Sequence, residues 1–227
     1  MKLFYLSLFT LHFSLFTFHY SLFTFHSWAA SNSRSAHEIV QKLQLKYEQI
    51  DSFSADFRQV FSSRGFKTEE SGILTMAKPG RMYWEYRHPT AKFFVADGEK
   101  AYFYVPKDKQ VMISDLQLEG AAGTPLLFLL GKGDIDEDFR VERETEEAPL
   151  QPDNLLIRLT PKQPQGEFSY LLLEIDRSNY RISRLSVVEP IGNRNDYILT
   201  NFRENVRIPP RRFVFDIPSG VEVIGPH

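Results

Sequence analysis

The chain contains no cysteine. That absence excludes disulfide staples, thiolate catalysis and Cys-ligated metal, and it removes the residue on which an N-terminal lipid anchor is built. Charge of one sign is equally lacking: 27 Lys and Arg stand against 29 Asp and Glu, for a formal net charge of −2. Nucleic acids and anionic membranes select clustered basic residues, so no nucleic-acid partner is expected, and the short cluster Arg207, Arg211 and Arg212 reads as a solvated loop. Histidine is sparse. His12, His19 and His26 belong to an N-terminal repeat, and His37, His88 and His227 give no HxxxH or HExxH spacing for a metal. GxSxG, GxGxxG and the phosphate-loop pattern are missing as well. Neither a cofactor nor catalysis is expected. Asp97 reads as a turn residue, and Asp134, Asp136, Glu137 and Asp138 as a solvated acidic loop.

Between Lys2 and Arg34 no residue carries a charge, and this run holds one phrase written three times, SLFTLHF SLFTFHY SLFTFHS, from Ser7 to Ser27. A coiled coil needs charged or polar flanks around its apolar seam, and more than half of these positions are Leu, Phe or Tyr. The run is long enough to span a bilayer, but the Ser, Thr and His in every repeat make a poor permanent span. A secretory signal peptide over residues 1–29 fits better. Lys2 supplies the positive start, the Leu/Phe run the apolar region, and Ser27-Trp28-Ala29 the small residues read at cleavage, which is expected after Ala29. The repeats make that apolar region overlong, and an uncleaved anchor is the alternative. Residues 30–227 then form a single exported, periplasmic domain without disulfides.

Ser35-Ala36-His37-Glu38 has the pattern of a capping box, so a helix is expected to begin at Ser35. Ile39, Leu43, Tyr47 and Ile50 recur at helical spacing and oppose Glu38, Gln41, Lys42, Lys46 and Glu48. From Phe53 the period becomes two. Strands are expected near 53–61, 67–76, 81–87, 92–96, 100–105, 109–113, 139–145, 154–160, 168–175, 181–188, 195–202 and 213–217. Asp97-Gly98 marks a hairpin of type I′. Consecutive strands without crossover helices imply an antiparallel sheet, and about eleven strands should curl into a barrel or split into a sandwich. Thr124-Pro125-Leu126-Leu127-Phe128-Leu129-Leu130-Gly131 reads as a short apolar helix with its own N-cap and stop. Two readings stand for it: a plug in a barrel end, or a lid whose apolar underside closes a greasy pocket.

Several stretches, in order, are similar to the LolA family of periplasmic lipoprotein carriers. They are Phe53-Ser54-Ala55-Asp56-Phe57-Arg58-Gln59, Lys78-Pro79-Gly80-Arg81-Met82-Tyr83-Trp84-Glu85-Tyr86 with Pro89, and Asp97-Gly98 with Tyr104. Thr124-Pro125 and Phe213-Val214-Phe215 through Pro218-Ser219-Gly220-Val221 continue the series, so the resemblance spans residues 36–224. It implies a mainly β (α+β) fold, an incomplete antiparallel β-barrel of about eleven strands whose concave face is covered by helices, with a hydrophobic cavity between. It implies acylated lipoproteins as cargo, an inner-membrane ATP-driven releasing complex as donor, an outer-membrane lipoprotein as acceptor, and a monomeric carrier. The family's acceptor carries a lipidated cysteine, so this chain is expected to be the carrier.

On this resemblance Phe53, Phe57, Met82, Trp84, Tyr86, Phe94, Leu127 and Leu130 are expected to line the cavity. Thr124, Pro125, Leu126, Phe128 and Leu129 complete the lid helix. The family holds its lid with a basic residue before Pro, usually Arg; Lys78 stands at that position, and lysine lacks the planar fork of donors, so either the latch is weaker here or Arg81 shares the task. Two rival functions use the same architecture: a carrier of another amphiphile or lipid, and a periplasmic lipid- or protein-sensing domain, which would usually carry a further domain that this chain is not expected to have.

Overall fold

The computed structural model describes residues 24–116, 135–163, 166 and 168–225. Helix α1 spans Thr24–Glu48. It does not begin at the Ser35 capping box: residues 24–34 contain neither Gly nor Pro to stop it, and the helix runs through Ser35 without a break. The expected stripe does form, with Ile39, Leu43, Tyr47 and Ile50 all buried alongside Ala36 and Val40.

Eleven of the expected strands are present: β1 (Ser52–Ser63), β2 (Phe66–Ala77), β3 (Arg81–His88), β4 (Lys92–Asp97), β5 (Lys100–Val105), β6 (Gln110–Asp115), β7 (Phe139–Arg143), β8 (Leu155–Pro161), β9 (Tyr170–Ile175), β10 (Ile182–Val188) and β11 (Arg194–Glu204). The strand expected at 213–217 is not formed. Pro209 and Pro210 cannot donate to a ladder, the chain makes a 3-10 turn over Pro210–Phe213, and an edge strand β12 (Glu222–Ile224) appears further on. At the β4–β5 hairpin Gly98 takes φ +111, whereas Glu99 is not among the positive-φ residues, so the turn is not the expected I′ type. The Asp97 carboxylate holds it instead, accepting from the backbone N–H groups of Glu99 and Lys100, each at 2.8 Å.

The strands form one open sheet in the order β12-β6-β5-β4-β3-β2-β1-β11-β10-β9-β8-β7. Two meanders, β1 to β6 and β7 to β11, meet where β1 pairs with β11, and β12 alone runs parallel to its neighbour. The sheet stays unclosed, with β7 and β12 at its edges. α1 packs on its inner face against β7, and the buried Tyr47 hydroxyl accepts from the Ile182 N–H of β10 at 3.2 Å. Burial raises the pKa of that phenol. Beside α1 the acidic run is not a free loop. A short helix α2 (Ile135–Asp138) buries Ile135, and Asp136 Oδ1 lies 2.7 Å from His37 Nδ1.

The inner face carries one continuous apolar cluster drawn from α1, α2 and β1–β5 and β7–β11. The outer face is covered locally. Residues after β7 fold back over β9 and β10, where Glu174 accepts from the backbone N–H groups of Leu150 and Gln151 and from Arg184. The C-terminal segment buries Phe213, stacks Phe215 on Tyr102 and sets it at a tilt against Tyr104 of β5. Among the described residues no helix is long and apolar enough to cross a membrane.

Candidate functional site

Alternation sends residues i, i+2 and i+4 of a strand to one face. On β1 those are Phe53, Ala55, Phe57 and Gln59; on β3 they are Met82, Trp84 and Tyr86. Antiparallel register then sets Trp84 opposite Phe94 and Met82 opposite Ala96. Phe53, Phe57, Met82, Trp84, Tyr86 and Phe94 therefore lie in the same inner-face cluster. Leu127, Leu130 and the rest of the expected lid, Thr124, Pro125, Leu126, Phe128 and Leu129, lie outside the described residues.

Aromatic rings dominate this part of the face. Phe57 meets Trp84 and Tyr86 edge-on, each at 4.9 Å between centroids, and Trp84 also meets Tyr197 edge-on at 5.7 Å. Phe53 stacks on Phe202 at 4.5 Å. Phe57 and Trp84 are buried, while Tyr86, Phe94, Tyr197 and Phe202 are only partly so. The result is an apolar surface with a buried floor and a partly open margin, where the Arg181 guanidinium covers the Phe202 ring at 5.4 Å.

Polar groups border it on one side. The Tyr86 hydroxyl donates to Gln59 Oε1 at 2.9 Å, Asn195 Nδ2 donates to the Tyr197 hydroxyl at 3.0 Å, and Lys92 Nζ pairs with Glu70 Oε1 at 2.5 Å. Lys92 also sits 4.8 Å above the Tyr86 ring. Burial pushes the Tyr197 phenol up to about 12, with Glu70 acting the same way, and burial raises Tyr86 too. Both hydroxyls are therefore neutral across the physiological range and serve as hydrogen-bonding groups. Sequence reasoning missed Tyr197, Phe202, Gln59 and Asn195 as members of the site. The alternation of Asn195, Tyr197 and Leu199 was a usable signal, but the β1–β11 pairing that brings these residues to Trp84 joins segments far apart in sequence.

Lys78 and Arg81 point to different places. The Lys78 ammonium donates to the carbonyls of Tyr47 and Glu48, at 2.7 and 3.0 Å, and so caps the C-terminal end of α1. A cation there satisfies orphan carbonyls and complements the helix dipole. Arg81 lies on the alternate side of β3 from Met82, donates to the Lys78 carbonyl at 2.9 Å and covers the Phe213 ring at 5.3 Å. Any contact of either residue with the 124–130 segment falls outside the described residues. Lys78→Met is expected to lower stability by about 1 kcal/mol. Urea unfolding measures it, and an unchanged midpoint would mean that the ammonium does not hold the helix end.

Asp97 is engaged by its turn, and among the described residues no three His, Cys, Asp or Glu side chains gather as a metal ion requires.

Comparison with known proteins gives three findings. The family model described as outer membrane lipoprotein carrier protein LolA matches residues 48–216. An outer-membrane lipoprotein carrier protein of Chromohalobacter salexigens is 32% identical over 187 residues, covering 81% of this chain and 85% of the relative; its counterpart in Chromobacterium violaceum is 30% identical over 175 residues, covering 76% and 81%. Among solved structures, an uncharacterised conserved protein of Thermus thermophilus has the same fold, with a TM-score of 0.54 at 12% identity over 85% of this chain and 99% of that one.

Proposed function

We propose that this chain, which belongs to the LolA family of outer membrane lipoprotein carrier proteins, carries acylated lipoproteins through the periplasm by holding their acyl chains against the inner aromatic face. The observation that carries the reading is the contiguous set Phe53, Phe57, Met82, Trp84, Tyr86 and Phe94 on one face of an open sheet, extended by Tyr197 and Phe202 and only partly buried at its margin.

Acyl chains gain about 0.8 kcal/mol per buried CH₂, so a multiply acylated protein neither leaves a membrane nor crosses water unaided. A carrier must shield the chains and then surrender them. An open sheet with an apolar face supplies shielding, and a lid that costs free energy to open keeps net affinity low enough for a stronger acceptor to win. In this reading residues 1–29 direct export, residues 124–130 form the lid with Lys78 and Arg81 as its latch, an inner-membrane ATP-driven complex loads the carrier, and an outer-membrane lipoprotein unloads it. No bond is made or broken.

Mass spectrometry of what co-purifies with the protein from its native periplasm is the direct test. A one-to-one soluble complex with diacylated or triacylated lipoproteins is expected. Free lipid alone would replace the proposal with an amphiphile carrier, and a stable partner protein without acyl chains would replace it with a sensor domain.

Phe94→Asp should act on binding more than on folding, because Phe94 is partly exposed. A carboxylate there must lose its water when an acyl chain covers it, which is expected to weaken an acylated probe about thirtyfold, with little change in the unfolding midpoint. Unchanged affinity in a fluorescence titration would put the acyl chains elsewhere.

A further inference from the structure

We infer that Asn195, Tyr197 and Gln59 form a polar seat at the border of the aromatic face, and that it takes the amide group joining an acyl chain to a polypeptide. The inference rests on the carrier reading and adds to it a group that the apolar face by itself cannot distinguish.

An apolar floor recognises chain length and little else. The bordering hydrogen bonds are more discriminating, because each uses half of a polar group and leaves the other half. Asn195 commits its Nδ2 to the Tyr197 hydroxyl. That bond orients the side-chain amide, and its Oδ1 is then buried with no hydrogen-bond partner among the described residues. A buried acceptor without a donor is costly. The Tyr197 hydroxyl, having accepted from Asn195, keeps its own proton to donate. Gln59 Oε1 accepts from Tyr86, and the Gln59 Nε2 group keeps its donors.

Register brings these half-used groups together. In the β1–β11 pair Gln59 stands directly opposite Tyr197, and Phe61 opposite Asn195. Side chains opposite each other in an antiparallel pair lie about 5 Å apart at Cβ. The border thus presents one acceptor beside two donors, next to the rings of Trp84, Tyr86 and Tyr197.

A secondary amide matches that arrangement: its N–H meets Asn195 Oδ1, and its carbonyl accepts from the Tyr197 hydroxyl or Gln59 Nε2. An ester supplies the carbonyl but leaves Asn195 unpaired. A free carboxylate is a worse fit, since it offers no N–H and brings negative charge toward Asn195 Oδ1 and Glu70. The seat therefore favours an amide-linked acyl chain over ester-linked lipid or free fatty acid.

N-methyldodecanamide and methyl dodecanoate test this, because they share a chain and a carbonyl and differ in one N–H. Each is titrated against the purified full chain by displacement of a fluorescent acyl probe. Asn195→Leu is expected to shift the amide-to-ester affinity ratio about tenfold toward the ester. Tyr197→Phe keeps the ring and removes only the hydroxyl, and it should weaken both probes together. A ratio left unchanged by Asn195→Leu, or equal loss of both probes in that variant, would overturn the seat while leaving the carrier reading standing. Failure of the wild-type protein to bind either probe would remove the carrier reading, and the seat with it.

Discussion

Glu174→Ala is expected to destabilise the protein by about 3 to 5 kcal/mol, because it takes one carboxylate partner from a buried cation and leaves several N–H donors without their acceptor. The Glu174 carboxylate is 1% exposed and the Arg184 guanidinium 6% exposed, with Nε and Oε2 at 3.0 Å. The carboxylate also accepts from the Leu150 and Gln151 backbone N–H groups, at 2.9 and 3.0 Å, and from Asn154 Nδ2 at 3.0 Å. Alanine removes every one of these acceptors together. Among the described residues Arg184 would keep Glu147 as its anionic partner, and the segment after β7 would lose the ties that its Leu150 and Gln151 N–H groups make to β9. Glu174→Gln retains an acceptor and should cost less than half as much. Urea unfolding of the three proteins decides the matter; a loss below about 1 kcal/mol for Glu174→Ala would mean that water reaches this network.

Gly72→Ala and Gly72→Val should both cost about 3 kcal/mol or more, and by similar amounts. Backbone freedom is not the reason: a Cβ at position 72 would stand 1.8 Å from the Glu85 carbonyl oxygen and 3.0 Å from the Phe57 ring. The carbonyl lies so close because β3 carries an extra residue there, pairing His88 with Ser71 and Tyr86 with Gly72. Since the first carbon already collides with backbone, added bulk matters little. Relief requires β2 and β3 to separate, which would also displace Phe57 from Trp84 and Tyr86. The near-UV circular dichroism signal should fall along with the unfolding midpoint, and acyl-probe binding should weaken. An alanine variant of native stability would show that the β2–β3 bulge shifts freely.

These two sites differ in how visible they were. Gly72 stood in plain view inside a strand pattern, where an isolated glycine signals a bulge or a close backbone approach, yet the sequence does not say which backbone comes close. Glu174 gave no signal at all. It stands in the apolar run Leu171-Leu172-Leu173-Glu174-Ile175, and only the fold-back of residues 144–154 supplies the N–H groups that bury its carboxylate. The failed strand at 213–217 has the same origin: Phe213 and Phe215 have the side chains of a strand, but they anchor a segment across β5 and the Arg81 side chain instead of joining a ladder.

Element type and order were legible because they depend on neighbours in the chain. The stripe Ile39-Leu43-Tyr47-Ile50 and the alternation from Phe53 to β11 are properties of windows a few residues long, and they gave α1's buried face, eleven strands and the inward set Phe53, Phe57, Met82, Trp84 and Tyr86. The N-terminal reach of α1 was not legible, since a good cap sequence can equally sit inside a longer helix when nothing upstream stops it. Pairing across the middle of the sheet was decided only in three dimensions. The meeting of β1 with β11 sets Gln59 against Tyr197 and Phe57 against Leu199. Long-range register arises from burying both strands' apolar faces at once, a condition that no local window contains. That pairing brings the aromatic face its second half and supplies the bordering polar groups.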